Sequence, residues 1–320
     1  MIALILWIFL FIIGYLTIFF SADVFLDNLK ELCMIYQISP FIIGLLIIGI
    51  DPEESIASII AAINGLPYIA VGNIIGNSII ALTLSFAIPL FFYQINIRII
   101  PQIYFSIVYI CLVLMLVGIL FSFGLFIIGI LVVIIYLIYI YRNIKQISNG
   151  KYTEVALLEE PVKKNEIDNE STAKSKYKKF FLILISFLFI FLGGELLIFS
   201  TEQIIIISNI PETFFGLVII AFVTNVEELT LVMKSIQKKS MEIGLEGMIG
   251  KVFWNLTVNF GFSAIIIINF PFKWIVLWNW IILLVVIIFF NGVTKKKTMN
   301  WEHGTILAVI LTAFLIINFI

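Results

Sequence analysis

Apolar residues recur along the chain in stretches of about 20, the length an α-helix needs to cross the hydrocarbon core of a bilayer. Ten such stretches can be drawn, at residues 2–21, 40–61, 68–92, 104–121 and 124–141 in the first half and 180–199, 213–234, 243–267, 272–291 and 303–320 in the second. Weak turn signals around Ser122-Phe123-Gly124 and Phe270-Pro271-Phe272 separate two of the pairs, so nine and eleven spans are the neighbouring counts. The pattern predicts an all-α polytopic membrane protein of about ten transmembrane helices, with a first repeat at 1–142, a linker at 143–179 and a second repeat at 180–320. The linker holds Asn149-Gly150, Pro161 and a dense mixture of Lys and Glu. So few apolar side chains cannot offset the entropy of folding, and the segment is expected to be solvated.

Composition narrows the class. Of 320 residues, 62% are hydrophobic and 12% charged, which excludes a soluble fold. The 19 basic and 20 acidic residues balance to a net charge of −1, so nucleic acid is not an expected partner. Cys33 and Cys111 have neither metal nor redox spacing and read as packing residues. The stretch Met1 to Phe20 lacks a basic leader and a small-residue cleavage site, so it reads as a retained span. Placing both termini outside puts 17 of the 19 basic residues in inner loops, with Lys273 outside and Lys251 inside a span. That predicts a multi-pass protein with a cytoplasmic linker, and a short chain rich in Ile, Lys and Asn without a transit segment points to an archaeal or bacterial cell membrane. Five spans per half is an odd number, so related halves must be inverted across the membrane, an arrangement that places a substrate site between interrupted helices.

A repeat with that property is visible. The second span reads Gly49-Ile50-Asp51-Pro52-Glu53-Glu54-Ser55, and the seventh reads Val223-Thr224-Asn225-Val226-Glu227-Glu228-Leu229. One offset of 174 positions carries Glu53-Glu54 onto Glu227-Glu228 and Gly76 onto Gly250. Carboxylates at membrane depth cost at least a few kcal/mol unless paired, hydrated or bound to cations, so these acids mark a site. Oxygen donors of Asp, Glu, Asn and Thr suit hard cations, and the lack of His and Cys clusters argues against zinc or copper. Pro52, without an amide hydrogen, frees a backbone carbonyl in its helix; the seventh span has no such proline. An acidic pair at a helix end reaching interfacial water is the plainer alternative. Only one of two adjacent acids can face a common cavity, since helical neighbours diverge by about 100°. The other acids can carry exchangeable protons.

At these residues the chain resembles the calcium/cation antiporter superfamily, in particular its prokaryotic sodium/calcium exchanger branch. Each family repeat has a Gly-Thr-Ser-Leu-Pro-Glu-type break followed by a Gly-Asn-x-x-Gly-Ser helix, matched here by Gly72-Asn73-Ile74-Ile75-Gly76-Asn77 and, more loosely, Glu246-Gly247-Met248-Ile249-Gly250-Lys251. Ser21-Ala22-Asp23 and Gly193-Gly194-Glu195 look like its flanking acidic positions. The resemblance implies calcium export coupled to entry of sodium or protons by alternating access, with no enzymatic activity and no bound cofactor. It places the two central cation-binding glutamates at Glu54 and Glu228. In the first repeat the Pro-Glu dipeptide points to Glu53, whereas the distance to Gly72-Asn73 and the internal offset point to Glu54. Thr224, Asn255, Asp51 and Asn225 are the further candidate ligands, and Glu53, Glu227, Asn77 and Lys251 the candidate proton-carrying or accessory residues.

The departures from the family pattern are specific. Ile50 and Asp51 stand where the first repeat has Thr and Ser, Glu53 and Glu227 stand at its prolines, and Asn77, Ala81, Lys251 and Asn255 replace family residues in the following helices. Lys251 can neutralise surplus carboxylate, substitute for a transported sodium ion, or reach harmlessly toward water. The expected function is therefore a cation antiporter exchanging calcium, or another divalent cation, for sodium or protons. The alternative is a degenerate, non-transporting relative acting as a membrane scaffold or sensor, its acidic site locked by Lys251. Magnesium, manganese and sodium alone are further substrates compatible with the donor set. Expected partners are inorganic cations and the lipid bilayer, with a monomer or weak homo-oligomer. Glu242 and Glu246 are expected at the site entrance, His303 at the surface, and Trp274, Trp278, Trp280 and Trp301 in an aromatic belt.

Overall fold

A computed structural model describes residues 2–35, 51–96, 102–121, 124–148, 173–225, 228–229, 232–233, 241–295 and 298–319. The first half supplies helices α1 (Ile2–Ile35), α2 (Pro52–Ile63), α3 (Pro67–Leu90), α4 (Gln102–Leu120) and α5 (Leu125–Ser148). The second supplies α6 (Ala173–Ser208), α7 (Glu212–Thr224), α8, α9 (Trp274–Thr294) and α10 (Trp301–Phe319). Helix α8 runs from Met241–Trp254 through the wider π-helical turn Asn255–Asn259 and on through Phe260–Ile266. Helix α7 has a similar turn at Phe215–Ile220. Two short strands, β1 (Ile95–Asn96) and β2 (Thr298–Met299), pair antiparallel with Ile95 opposite Met299 and tie the two halves together.

The same 174-residue offset that relates the acidic pairs relates the helices. It carries Pro67, the first residue of α3, onto Met241 at the start of α8, and it brings the starts of α1, α4 and α5 within three residues of those of α6, α9 and α10. Among the described residues, eight helices are long and apolar enough to cross a membrane. The two exceptions, α2 with 12 residues and the short apolar α7, are the elements at the interrupted spans. Residues 36–50, which hold the start of the second expected span, and most of the expected linker lie outside the described residues. The linker is shorter than expected at both ends: α5 continues to Ser148, and α6 already begins at Ala173. Polar residues extend these helices past the apolar stretch because a helix satisfies its own backbone in water as well as in lipid.

Helices α1 and α6 form a long antiparallel pair on one flank. Trp7 meets Phe199, Phe25 meets Phe187, and Lys179 pairs with Glu31 at the far end. At the centre is α3, buried along nearly its whole length, whereas α1 and α10 leave most of their surface apolar and exposed, as lipid contact requires. Leu66 offers α3 no side-chain cap. The carboxylate of Glu212, from the other half, instead accepts hydrogen bonds from Tyr68 N at 3.0 Å and Ile69 N at 3.3 Å, a favourable place for an anion at a helix N-terminus.

Three side chains differ from expectation or extend it. Trp280 is buried in the core and donates its ring N–H to the Leu112 carbonyl at 3.0 Å, while Trp274, Trp278 and Trp301 are exposed as a belt requires. His303 is only partly exposed and shares hydrogen bonds with Asn300, so it caps the turn into α10 and is not a free surface group. Cys111 is buried and free, as a packing cysteine should be.

Candidate cation site

The break before α2 is built locally. Asp51 is the N-cap residue in an extended conformation, Pro52 occupies the first helical position, and the Asp51 carboxylate accepts the Glu54 backbone N–H at 3.1 Å. The Ser55 N–H and hydroxyl both return to the Asp51 carbonyl, at 3.1 and 2.5 Å. Glu53 and Glu54 therefore sit in the first turn, where the helix dipole favours acids. In the other half α7 stops at Thr224, and Asn225 forms a turn, its side chain donating to the Ala221 carbonyl at 2.7 Å. No proline is needed there, because the Asn225 amide supplies a local alternative to the helical hydrogen bond.

Helix α8 joins the two breaks. Lys251 Nζ lies 2.8 Å from Asp51 Oδ2 and 2.5 Å from Glu54 Oε1, and it also pairs with Glu228 Oε1. Glu54, Glu228 and Lys251 are 1%, 6% and 5% exposed. One oxygen from each of Asp51, Glu54 and Glu228 lies within 4.8 Å of the others, which is the spacing of a metal-binding cluster. An unpaired charge at this depth is strongly destabilising, so ammonium and carboxylates hold one another in place.

The other oxygen of Glu54 is also held: Asn255 Nδ2 donates to Oε2 at 2.8 Å, and Asn259 Nδ2 donates to Asn255 Oδ1 at 2.6 Å. Asn255 and Asn259 begin and end the wide turn of α8. On the opposite side of the site, Asn77 of α3 donates to Thr224 Oγ1 at 2.8 Å, and the Asn225 amide reaches the Asn77 carbonyl at 3.5 Å. Asn73 donates to Ser58 Oγ at 2.9 Å, and Trp254 donates to Ser55 Oγ at 2.9 Å.

The structure thus brings Asp51, Glu54, Glu228, Lys251 and Asn255 into one cluster and sets Asn77, Thr224 and Asn225 in a neighbouring network. Between the two candidate glutamates of the first repeat, Glu54 is the one that enters the cluster; Glu53 is buried beside it without joining. Glu227 lies outside the described residues, as do the side chains of Glu242 and Glu246. Asn73, Asn259, Ser55, Ser58 and Trp254 are not among the site residues expected from sequence. For Asn73 and Asn259 a signal existed, since each lies four positions from a recognised polar residue, Asn77 or Asn255, and so on the same face of its helix.

Ten described helices in two related halves, with broken helices meeting around buried carboxylates, define a polytopic membrane transporter of the inverted-repeat class. The sodium/calcium exchanger protein family model matches residues 6–145 and 178–320, so nearly all of both halves is covered. The chain belongs to that family. Among solved structures it is similar to the sodium-calcium exchanger NCX_Mj soaked with 100 mM Na+ and 10 mM Sr2+, at 18% identity over 98% of each chain and a TM-score of 0.59. It is also similar to the same exchanger soaked with 2.5 mM Na+ and 0.1 mM Ca2+, at 16% identity, 97% and 98% coverage and a TM-score of 0.57. With zero Na+ and Ca2+ that exchanger gives 16% identity, 98% coverage of both chains and a TM-score of 0.56. At such identities the likeness establishes the fold. No curated protein matches the chain.

Proposed function

We propose that the protein is a secondary active antiporter of the cell membrane that exchanges calcium, or another divalent cation, for sodium or protons by alternating access. The observation that carries this reading is the meeting of Asp51 and Glu54 from one half with Glu228 from the other, their ligand oxygens within 4.8 Å. Hard carboxylate oxygens select hard cations. Glu54 and Glu228 are the bridging ligands; Asp51, Thr224, Asn225 and Asn255 complete the donor set, and Glu53, Glu227 and Asn77 are accessory. Because the ligands come from both halves, a rocking of one half against the other would open the site to alternate faces. The termini lie outside, the linker is cytoplasmic, and the protein works as a monomer or weak homo-oligomer.

Calcium-45 uptake into proteoliposomes under imposed sodium and pH gradients tests the proposal. Uptake driven by at least one gradient is expected, and competition by magnesium and manganese ranks the divalent ions. If neither gradient moves calcium above the level of protein-free vesicles, the reading fails.

Lys251 supports a second reading, because its ammonium stands among the carboxylates a cation would occupy. Here the protein is a membrane scaffold or sensor whose site is permanently clasped. The two readings part on calcium-dependent thermal stability of the purified protein. A calcium-binding native protein gains about 2.7 kcal/mol at a hundredfold excess over Kd. A clasped one gains nothing until Lys251→Ser opens the site.

A further inference from the structure

One oxygen of Glu54 is held by a relay that begins outside the acidic cluster. Glu54 Oε1 meets Lys251 at 2.5 Å, while Oε2 accepts from Asn255 Nδ2 at 2.8 Å, and Asn255 Oδ1 accepts from Asn259 Nδ2 at 2.6 Å. Both asparagines are fully buried, and they begin and end the wide turn of α8. An ionised carboxylate can only accept hydrogen bonds, so the group of Asn255 that faces Glu54 must be its NH2. The Asn255 carbonyl then points away from the cluster, and what meets it there must donate. Asn259 does.

The far end of the relay shows that this polarity is imposed. Asn259 Oδ1 is buried without a hydrogen-bond partner among the described residues. An unpaired buried acceptor is costly, and here the cost falls at the end remote from the carboxylate, while both carboxamides direct their donors toward Glu54. Turning the Asn259 amide over would set two carbonyl oxygens against each other. Without the Asn259 donor, the Asn255 amide is free to turn as well, and its oxygen would push Glu54 Oε2 aside.

Resting on the antiporter reading above, we infer that Asn259 is a positioning residue of the cation site: acting through Asn255, it fixes the orientation of Glu54 and thereby sets the affinity for the divalent ion. Held in this way, Glu54 keeps an oxygen within 4.8 Å of those of Asp51 and Glu228. Ligands fixed before the ion arrives need no ordering when it binds. Hydrogen-bond partners behind metal ligands typically contribute about 10- to 100-fold to affinity, so Asn259 belongs to the site although it lies one turn beyond it.

The experiment is the calcium dependence of gradient-driven calcium-45 uptake in proteoliposomes, read as KM and as maximal rate per folded protein. Asn259→Leu keeps the volume of the side chain and Asn259→Ala does not, but both remove the donor. KM for calcium should rise at least about tenfold in both, with maximal rates within about twofold of native. A packing role predicts the opposite: native KM in both variants, with a loss of folded protein that is larger for Ala than for Leu. In an Asn255→Leu background there is no carboxamide to hold, so adding Asn259→Leu should change KM by less than about twofold. Native KM in the two Asn259 variants overturns the inference, as does a full additional tenfold rise in the Asn255→Leu background. Asn259→Ala decides by itself if the Leu variant does not fold, and the single variants decide if Asn255→Leu does not transport. Absence of calcium movement by the native protein under every gradient overturns the antiporter reading and this inference with it, whereas native transport with an unchanged KM in the Asn259 variants overturns only the inference.

Discussion

Glu228→Gln should lower gradient-driven calcium uptake by about 100-fold, the equivalent of ~3 kcal/mol of cation binding. The substitution preserves the shape of the side chain and removes its charge. Lys251 still keeps Asp51 and Glu54 as partners at 2.8 and 2.5 Å, so the helices stay together and the loss appears in transport before it appears in folding. Glu53→Gln is the matched control: the same chemical change, one residue from Glu54, at a carboxylate that does not enter the cluster. It should reduce uptake by less than about tenfold. Initial rates of calcium-45 uptake, normalised to protein that elutes as a single species in detergent, provide the comparison. Equal rates for Glu228→Gln and the native protein would remove Glu228 from the ligand set and leave the exchange reading without its central residue.

The membrane helices were legible because a spanning segment announces itself through length and composition, and the 174-residue offset was legible because it links charged residues that apolar helices rarely contain. The offset also chose Glu54 over Glu53 where the Pro-Glu dipeptide pointed the other way, and Glu54 is the one with an oxygen within 4.8 Å of those of Asp51 and Glu228. Lys251 could be recognised as a charge inside a span, but its distances to three carboxylates depend on how α8 packs against both breaks. The π-helical turns at Phe215–Ile220 and Asn255–Asn259 left no sequence signal. Such turns arise where tertiary contacts outweigh one helical hydrogen bond, and no residue type encodes them reliably. Trp280 illustrates a similar limit: a tryptophan near a helix start suits the interface by type, yet its burial depends on the Leu112 carbonyl of another helix. The extensions of α5 and α6 were hidden because hydropathy reports where lipid ends, not where a helix ends.

Gly76→Ala should strongly destabilise the folded protein, and its counterpart across the repeat should not. A Cβ at Gly76 would lie 2.0 Å from the Leu217 carbonyl oxygen and 2.7 Å from its carbon, so it meets backbone that no rotamer change can move. Gly72 and Gly216 extend the same seam, with added Cβ atoms 3.1 Å from Leu217 N and 2.7 Å from Ile69 Cα. Helices α3 and α7 therefore cross backbone against backbone, as small residues permit in membranes. Overpacking a well-packed core typically costs about 1–3 kcal/mol, and a clash with rigid backbone belongs at or above ~3 kcal/mol. The damage also reaches the site, because Asn77 follows Gly76 directly and holds Thr224 at the end of α7. At Gly250, 174 positions on, an added Cβ would meet no neighbouring element within 4 Å among the described residues, so Gly250→Ala loses no packing there. It gains up to ~1 kcal/mol of helix propensity. Thermal stability of the two purified variants separates the cases: a lower melting temperature for Gly76→Ala alone is expected. If both variants melt with the native protein, the α3–α7 crossing is looser than these distances state, and the coupling of Asn77 to Thr224 across it loses its support.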